Sequence, residues 1–336
     1  MFKEEGKKVK FSGQLAAASM IGGFVLAVSA CGPGVTGGSS DGEYPSQRIE
    51  IIVPYGAGGA TDTHARSLAD GLSTDLGVNV QIVNKPGSGG AIGTSEAAQA
   101  AADGYELLFA PASAFTSVPN LQEVSYSEED FEGIAMMHQQ GYGLVAKAAE
   151  YESLDDLSAA DGRITYAFTG TGNPTHLAAE SFAQEAGLEV EGVPFDAATD
   201  AIQAVRGGQV DFTIADLNIA GAQVEQDDDL VALAVSTEER QEKMPDVPTF
   251  HEEGYMPDDV YAARFALAAP AGTPEETIST LRASTDAVLE SEAFGEFAET
   301  NYLYPSPYDD PQQWFTEWVP EERDRVAAKF DEFGIG

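Results

Sequence analysis

The stretch Arg48-Ile-Glu-Ile-Ile-Val-Pro-Tyr-Gly-Ala-Gly-Gly-Ala-Thr-Asp-Thr-His-Ala-Arg66 constrains the fold more than any other. Ile49 to Val53 is a short β-branched run stopped by Pro54, the pattern of a buried strand. Gly56, Gly58 and Gly59 make a turn without bulky side chains. Thr61 and Asp62 then open a helix whose apolar positions Ala65, Leu68, Ala69 and Leu72 recur at helical spacing. Strand, bare turn and helix N-terminus together present free N–H groups and the positive end of a helix dipole to an anion. The spacing is neither Gly-x-Gly-x-x-Gly nor Gly-Lys-Ser/Thr, so a nucleotide is disfavoured and a carboxylate or simple phosphate remains.

The same unit recurs. Val78 to Val83 runs into Asn84-Lys-Pro-Gly-Ser-Gly-Gly90 and the helical stretch Ala91 to Ala102, and Tyr105 to Ala110 is a third strand ending near Ser113. Further strands are expected at 143–147, 164–168, 190–195, 210–215, 230–235 and 262–268. Ile164 to Phe168 leads into Thr169-Gly-Thr171-Gly172-Asn173-Pro-Thr-His176, a second glycine- and hydroxyl-rich turn before a helix. Helices are expected at 197–206, 274–289 with Thr273 as cap, 294–300 and 311–330, and Ser153 is an N-cap before Leu154. Strands alternating with helices predict an open α/β sheet, with ligands at the carboxyl ends of its strands.

The N-terminus reads as an export signal. Lys3, Lys7, Lys8 and Lys10 precede the apolar stretch Leu15 to Val28, too short for a permanent bilayer span. Val28-Ser-Ala-Cys31 has the form of a lipobox, and Cys31 is the single cysteine, at the position lipidation requires. One cysteine excludes an internal disulfide and a cysteine metal cluster, and the four histidines show no i,i+4 pairing. No cofactor is expected. Residues 1–30 form the signal peptide and 31–46 a Gly/Ser/Pro-rich tether, leaving about 290 residues for the folded body.

Charge excludes other partners. The net charge is −39, and near −41 once residues 1–30 leave with four lysines and two glutamates. Such a surface repels nucleic acid and anionic lipid, and obliges an anionic ligand to find concentrated local donors. It suits a high-salt habitat, where screening tolerates self-repulsion.

Ile51-Ile-Val-Pro-Tyr-Gly-Ala-Gly-Gly-Ala-Thr-Asp62, Asn84-Lys-Pro-Gly-Ser-Gly-Gly-Ala-Ile-Gly93, Asp103-Gly-Tyr105, Gly170-x-Gly172-x-x-x-His176-Leu177, Gly207-Gly-Gln-Val-Asp211, Met244-Pro-Asp-Val-Pro-Thr249 and Ala269-Pro-Ala-Gly-Thr-Pro274 occur in this order. Over the whole mature chain, this order resembles the substrate-binding proteins of tripartite tricarboxylate transporters. The resemblance implies a two-lobed α/β flytrap of the type II periplasmic-binding-protein kind, each lobe a mixed, mostly parallel sheet flanked by helices. Residues 47–144 and 265–336 would form one lobe and 145–264 the other, with crossings near Tyr142–Val145 and Arg264–Leu267. It also implies a receptor that binds a small carboxylate and passes it to membrane permease subunits, acting as a monomer outside the cytoplasm and not as an enzyme. The implied ligand-binding residues are Tyr55, Gly58, Gly59, Ala60, Thr61, Asp62, Ser113, Phe168, Thr169, Thr171, Gly172, Asn173, His176 and Asp216.

This chain departs from the family pattern in carrying Gly56 for proline, and Phe168 and Asn173 where relatives have serine. Thr61 is either a ligand donor or a helix cap, and ligand contact is favoured. For Asp62 and His176 the structural role is favoured. Asp216 near the ligand's far end would disfavour a second carboxylate there. A sensor lipoprotein or a receptor of another transporter type would share the shape. A hydrolase is less favoured, because no Gly-x-Ser-x-Gly surrounds Ser88 or Ser113. Replacing Cys31→Ser is expected to move the protein from the membrane fraction to the soluble one, and serine protein still bound after salt and alkaline washes would refute lipid anchoring.

Overall fold

The computed structural model describes residues 44–256 and 261–335, so the signal peptide, Cys31 and most of the tether lie outside the described residues. Along the chain, β1 (Ile49–Val53) leads into α1 (Ala60–Leu76), and β2 (Val80–Asn84) into α2 (Ala91–Ala98). β3 (Glu106–Pro111) is followed by the short α3 (Ser113–Thr116) and α4 (Val118–Leu121). β4 (Phe131–Met136), β5 (Gln139–Lys147) and α5 (Leu154–Ser158) precede β6 (Arg163–Phe168) and α6 (Pro174–Glu185). Then come β7 (Glu189–Pro194), α7 (Ala198–Arg206), β8 (Phe212–Asp216), α8 (Leu217–Gln226) and β9 (Leu230–Val235). The last part holds β10 (Ala262–Ala263), β11 (Phe265–Pro270), α9 (Glu275–Leu289), α10 (Glu292–Thr300) and β12 (Leu303–Tyr304). It closes with α11 (Pro311–Gln313), a π-helical turn at Trp314–Trp318, and α12 (Val319–Phe333).

These strands form two sheets. The first has the order β2-β1-β3-β11-β4; in the second, β10-β5-β8-β6-β7 lie in sequence and β9 and β12 also pair with β5. The sheets are mixed, and the expectation of mostly parallel pairing gives way where strands cross. β11 runs antiparallel to β3 and β4, and β5 antiparallel to β8, β9, β10 and β12. The chain leaves the first sheet after Met136 and enters the second at Gln139. Residues 139–144 therefore pair in the second sheet, ahead of a crossing at Tyr142–Val145. The return falls between Ala263 and Phe265.

Period-two alternation sorts each strand between two cores. Ile49, Ile51 and Val53 of β1 pack with Leu68, Leu72 and Leu281, from α1 and α9, whereas Ile52 joins Leu108, Phe115, Trp314 and Phe315 on the opposite face. In the second sheet Leu144 and Ala146 pack with Leu177 and Phe182, while Val145 faces Ile202 and Val205 of α7. Helix α12 touches both bodies. Val319 lies in the core with Trp314 and Phe315, and Val326 and Phe330 lie in the core with Leu144 and Phe182.

Local signals explain most elements. Ser153 caps α5 by accepting a bond from the Asp156 amide at 3.1 Å. Thr273 does not cap α9: Pro274 takes that position, and the Thr273 hydroxyl turns back to the Pro270 carbonyl at 2.7 Å. Phe131-Glu-Gly-Ile-Ala-Met136 carries a weak strand pattern, and pairing with β11 makes it β4.

Glycine is essential where α2 meets the end of β1. A Cβ on Gly93 would stand 2.7 Å from the Lys85 carbonyl oxygen and 2.8 Å from Pro54 Cα. Both are backbone atoms, so the helix itself must move. Alanine normally gains about 1 kcal/mol over glycine inside a helix; here Gly93→Ala is expected to cost about 1–3 kcal/mol instead. Denaturant unfolding checks the sign, and a more stable alanine variant would refute the packing argument.

Candidate functional site

The first turn is open backbone at a long helix's N-terminus. Gly58 has φ +86°, a left-handed conformation that favours glycine, and Gly56 to Gly59 are exposed. A Cβ at Gly56 or Gly58 would meet nothing within 4 Å. The residue at the N-cap is Gly59, and no side chain caps the helix there. Thr61 thus lies inside the first turn of α1 and is not its cap. The first helical bond runs from the Thr63 amide to the Gly59 carbonyl at 2.9 Å, so the Ala60, Thr61 and Asp62 amides precede the helical ladder.

Asp62 is fully engaged within its own body. Its carboxylate accepts bonds from the Gly58 amide at 2.8 Å, from Arg66 Nε and Nη2 at 2.9 Å each, and from Asn84 Nδ2 at 2.9 Å. Burial opposes its ionisation, but these donors together hold its carboxyl below the usual carboxylate range. Asp62 therefore braces the turn, and consumes the Gly58 N–H in doing so.

The second turn is largely self-satisfied. Asn173 caps α6 by accepting the His176 amide at 2.9 Å and the Thr175 hydroxyl at 2.8 Å, and its amide nitrogen donates to the Thr169 carbonyl. The Gly172 amide donates to His176 Nδ1 at 3.0 Å. His176 stacks on Phe168 with centroids 4.1 Å apart, and burial pushes its pKa down to about 4. The imidazole is thus a neutral acceptor inside the turn. Thr171 is exposed at its tip, while Gly172 abuts Phe330 and Leu121: a Cβ there would stand 2.6 Å from Phe330 Cζ.

A cavity of about 80 Å³ lies where the two bodies meet. Ser113, Thr116 and Ser117 line it from the first body, and Tyr142, Pro174 and Leu177 from the second. Arg264, at the return crossing, forms part of its wall with Tyr261, Glu322 and Arg325. The Tyr55 hydroxyl donates to the Gly89 carbonyl at 2.9 Å, and its ring lies near Ser113, beside the cavity. Pro174 follows the second turn directly. Of the residues expected at the site, Ser113 lines the cavity itself; Tyr55 and Asn173 adjoin lining residues, and the first-turn glycines face open space. A larger hollow of about 590 Å³, between the 237–243 loop, α10 and β12, carries none of the expected residues.

Asp216 ends β8 opposite Tyr142 of β5. Burial pushes its carboxyl up to about 6, opposed by one backbone hydrogen bond. It lies beside Tyr142 on the neighbouring strand and does not line the cavity. Sequence reasoning placed Arg264 at a crossing and missed its place in the wall. The available signal was a single cation inside the apolar run Ala262-Ala-Arg-Phe-Ala-Leu-Ala268. Glu322 and Arg325 sit on a polar helical face that gives no such signal. Among the described residues no group of His, Cys, Asp and Glu could hold a metal ion, and no helix is long and apolar enough to cross a membrane.

Two mixed α/β bodies joined by crossing strands, with strand-end turns at helix N-termini, define a two-lobed periplasmic binding protein of the flytrap kind. Residues 64–335 match the family profile described as tripartite tricarboxylate transporter family receptor, and the chain belongs to that family. It is 33% identical over 282 residues to Protein BugT of Bordetella pertussis, covering 81% of this chain and 85% of that protein. A Rhodopseudomonas palustris protein solved with adipate is 26% identical with a TM-score of 0.74, over 88% of this chain and 99% of that one. MatC of Rhodopseudomonas palustris, solved with bound malate, is 26% identical with a TM-score of 0.70, over 85% and 99% of the two chains. The family is one of periplasmic solute receptors rather than of enzymes.

The folded-state pKa of Asp216 lies above its ordinary 3.8, so folding takes up a proton between that value and about 6. Stability from this group is therefore lost as pH rises through that window. Asp216→Asn is expected to stabilise the protein by about 1–3 kcal/mol at pH 7.5, with the gain vanishing below pH 4. Melting curves across pH check this, and a variant less stable at pH 7.5 would refute it.

Proposed function

We propose that this chain is an extracytoplasmic receptor that binds a small carboxylate between its lobes and delivers it to the permease subunits of a tripartite transporter. The observation that carries the reading is the N-terminus of α1. Seventeen residues of helix begin at a glycine without a side-chain cap, beside backbone exposed to open space. A carboxylate there would accept the first-turn amides and meet the positive end of the dipole, without a side chain in its way. Asp62, the nearest negative charge, is neutralised by its bond to Arg66. Malate and adipate in the related structures support this ligand class.

The finer reading extends the notion of a receptor to its setting. Cys31 carries lipid that anchors the mature protein at the membrane's outer face, and the Gly/Ser/Pro-rich stretch 31–46 gives the body reach. The protein acts as a monomer without cofactor and catalyses no reaction. Its two lobes, divided where the chain crosses between the sheets at residues 137–138 and at Arg264, close about the crossing strands when ligand binds, because only the closed form offers both sets of contacts. Thr171, exposed on the second turn, and the Thr169 and Ala60 backbones are the contacts added on closure.

Gly59 has φ −80°, so a β-branched residue fits its backbone, yet its side chain would stand over the α1 amides. Gly59→Val is expected to keep the melting temperature and lose at least about tenfold in carboxylate affinity, the worth of one or more charge-assisted hydrogen bonds. Titration calorimetry with the carboxylates that raise the wild-type melting point measures it. Unaltered affinity in the valine variant would move the site away from this turn.

A further inference from the structure

The segment Asn84-Lys-Pro-Gly-Ser-Gly-Gly-Ala-Ile-Gly93 follows β2 and leads into α2, and it packs against the turn after β1. Strand β2 pairs with β1 so that Asn84 stands opposite Val53, the last residue of β1. The Lys85 amide adds one more bond there, to the Val53 carbonyl at 2.8 Å. Residues 87 to 90 all have positive φ, Ser88 among them at +48°, a shape that needs support from outside the loop. Two bonds supply it: the Tyr55 hydroxyl donates to the Gly89 carbonyl at 2.9 Å, and Gln122 Nε2 donates to the Ser88 carbonyl at 2.6 Å. Gly90 leaves room for the same tyrosine, since a Cβ there would stand 2.9 Å from Tyr55 Oη.

Asn84 is the side chain that joins this segment to the first turn. Its amide nitrogen donates to the Tyr55 carbonyl at 3.1 Å and to Asp62 Oδ1 at 2.9 Å, and its amide oxygen accepts from Arg66 Nη2 at 3.3 Å. The Asp62 carboxylate in turn accepts the Gly58 amide at 2.8 Å. A closed path thus runs from the Tyr55 carbonyl through Asn84 and Asp62 to the Gly58 amide, and the turn between them is held at both ends. The position demands a donor and an acceptor together, which a side-chain amide supplies. An aspartate there could accept from Arg66 but would have nothing to donate to Tyr55, and it would set a second carboxylate against Asp62.

We propose that Asn84 is a positioning residue of the carboxylate site, which acts without touching the ligand and fixes the first turn in the shape that presents the α1 amides. This rests on the carboxylate-receptor reading. Without Asn84 the turn is tied only at Gly58, and Gly56 and Gly59 on either side gain conformational freedom. Binding must then order the turn, at a cost in affinity that the brace otherwise removes in advance. The glycines of 84–93 accordingly serve close packing against Pro54 and Tyr55, and not ligand contact.

The test uses the full mature chain and titration calorimetry with malate and adipate as probes. Asn84→Asp, equal in size, is expected to bind both about ten- to hundredfold more weakly than wild type at pH 8. The gap should narrow at pH 5.5, where the new carboxyl takes up a proton and can donate again; taking the ratio to wild type cancels the titration of the probes themselves. Asn84→Ala should lose about fivefold, with a ratio that does not change with pH. Glu96→Gln, which breaks the exposed ion pair to Lys85 in the same segment, should bind like wild type. In the unliganded protein, amide hydrogen exchange at residues 56–61 should quicken about fivefold or more in Asn84→Ala, while residues 68–76 of α1 keep wild-type rates. That measurement reads the brace even where the aspartate variant melts early. Wild type that binds the probes, with both Asn84 variants within about twofold of it, would overturn the proposal and keep the receptor. Exchange quickened throughout α1, with a flat ratio for Asn84→Asp, would overturn it too, since Asn84 would then act on folding alone. Wild type that binds neither probe removes both readings.

Discussion

Strand β5 must pair its backbone completely, and the arrangement of the second sheet follows from that need. Eight of its nine residues are buried, so an unpaired N–H or C=O there would cost several kcal/mol in lost hydration. No single neighbour covers the strand. β8 pairs with Tyr142 to Ala146 on one side and β9 with Gly143 to Lys147 on the other, while β10 and β12 serve its first residues. β12 comes from the C-terminal part of the chain, so the sheet is completed only when distant segments return to it. Gln140 adds a side-chain bond to the Asn301 carbonyl at 2.9 Å, at the same point. The crossing is thus a junction of four segments, and Arg264 enters the structure at that junction.

The three aspartates of the site region show how environment decides the role of one side-chain type. Asp62 has Arg66, Asn84 and a backbone amide and is held ionised. Asp211 receives the Thr165 amide at 2.7 Å and hydroxyl at 2.8 Å, which pins the start of β8 against β6. Asp216 is half-buried with little compensation, and its carboxyl is pushed up. Glu322 follows the same rule: burial raises its pKa to about 7 even with Arg264 near. Charge in this protein is abundant on the surface and rationed in the interior, and each interior charge has a traceable partner or a shifted pKa.

The two glycine turns look alike in sequence and differ in chemistry. Both follow a strand and precede a helix, and both need positive φ, at Gly58 and at Gly170 and Gly172. The second contains Asn173 and His176, which turn inward and use the loop's own amides. The first has no such side chains and leaves its helix end open. Backbone amides without side-chain partners are therefore concentrated at the first turn, although the pattern of glycines alone would have treated both turns alike.

Much of the fold was legible along the chain because it is locally encoded. Ile49 to Val53, Ile164 to Phe168 and Leu230 to Val235 become strands through β-branched or apolar runs with nearby breakers, and Ser153 caps its helix as the spacing predicts. The ordered set of motifs carried the family. What the sequence left undecided depends on partners far along the chain. Phe131 to Met136 is a strand only through β11, and the same pairing of distant segments moves the crossing ahead of Tyr142. Arg264 reaches Trp318, 54 positions away, because the return crossing and the π-helical turn meet at the cavity. Sequence by itself determined the alternation of strands and helices and the bare turn at α1, since both follow from backbone preferences of neighbouring residues. Only the tertiary structure decided which charges face the cavity, since burial and field depend on what packs around a side chain.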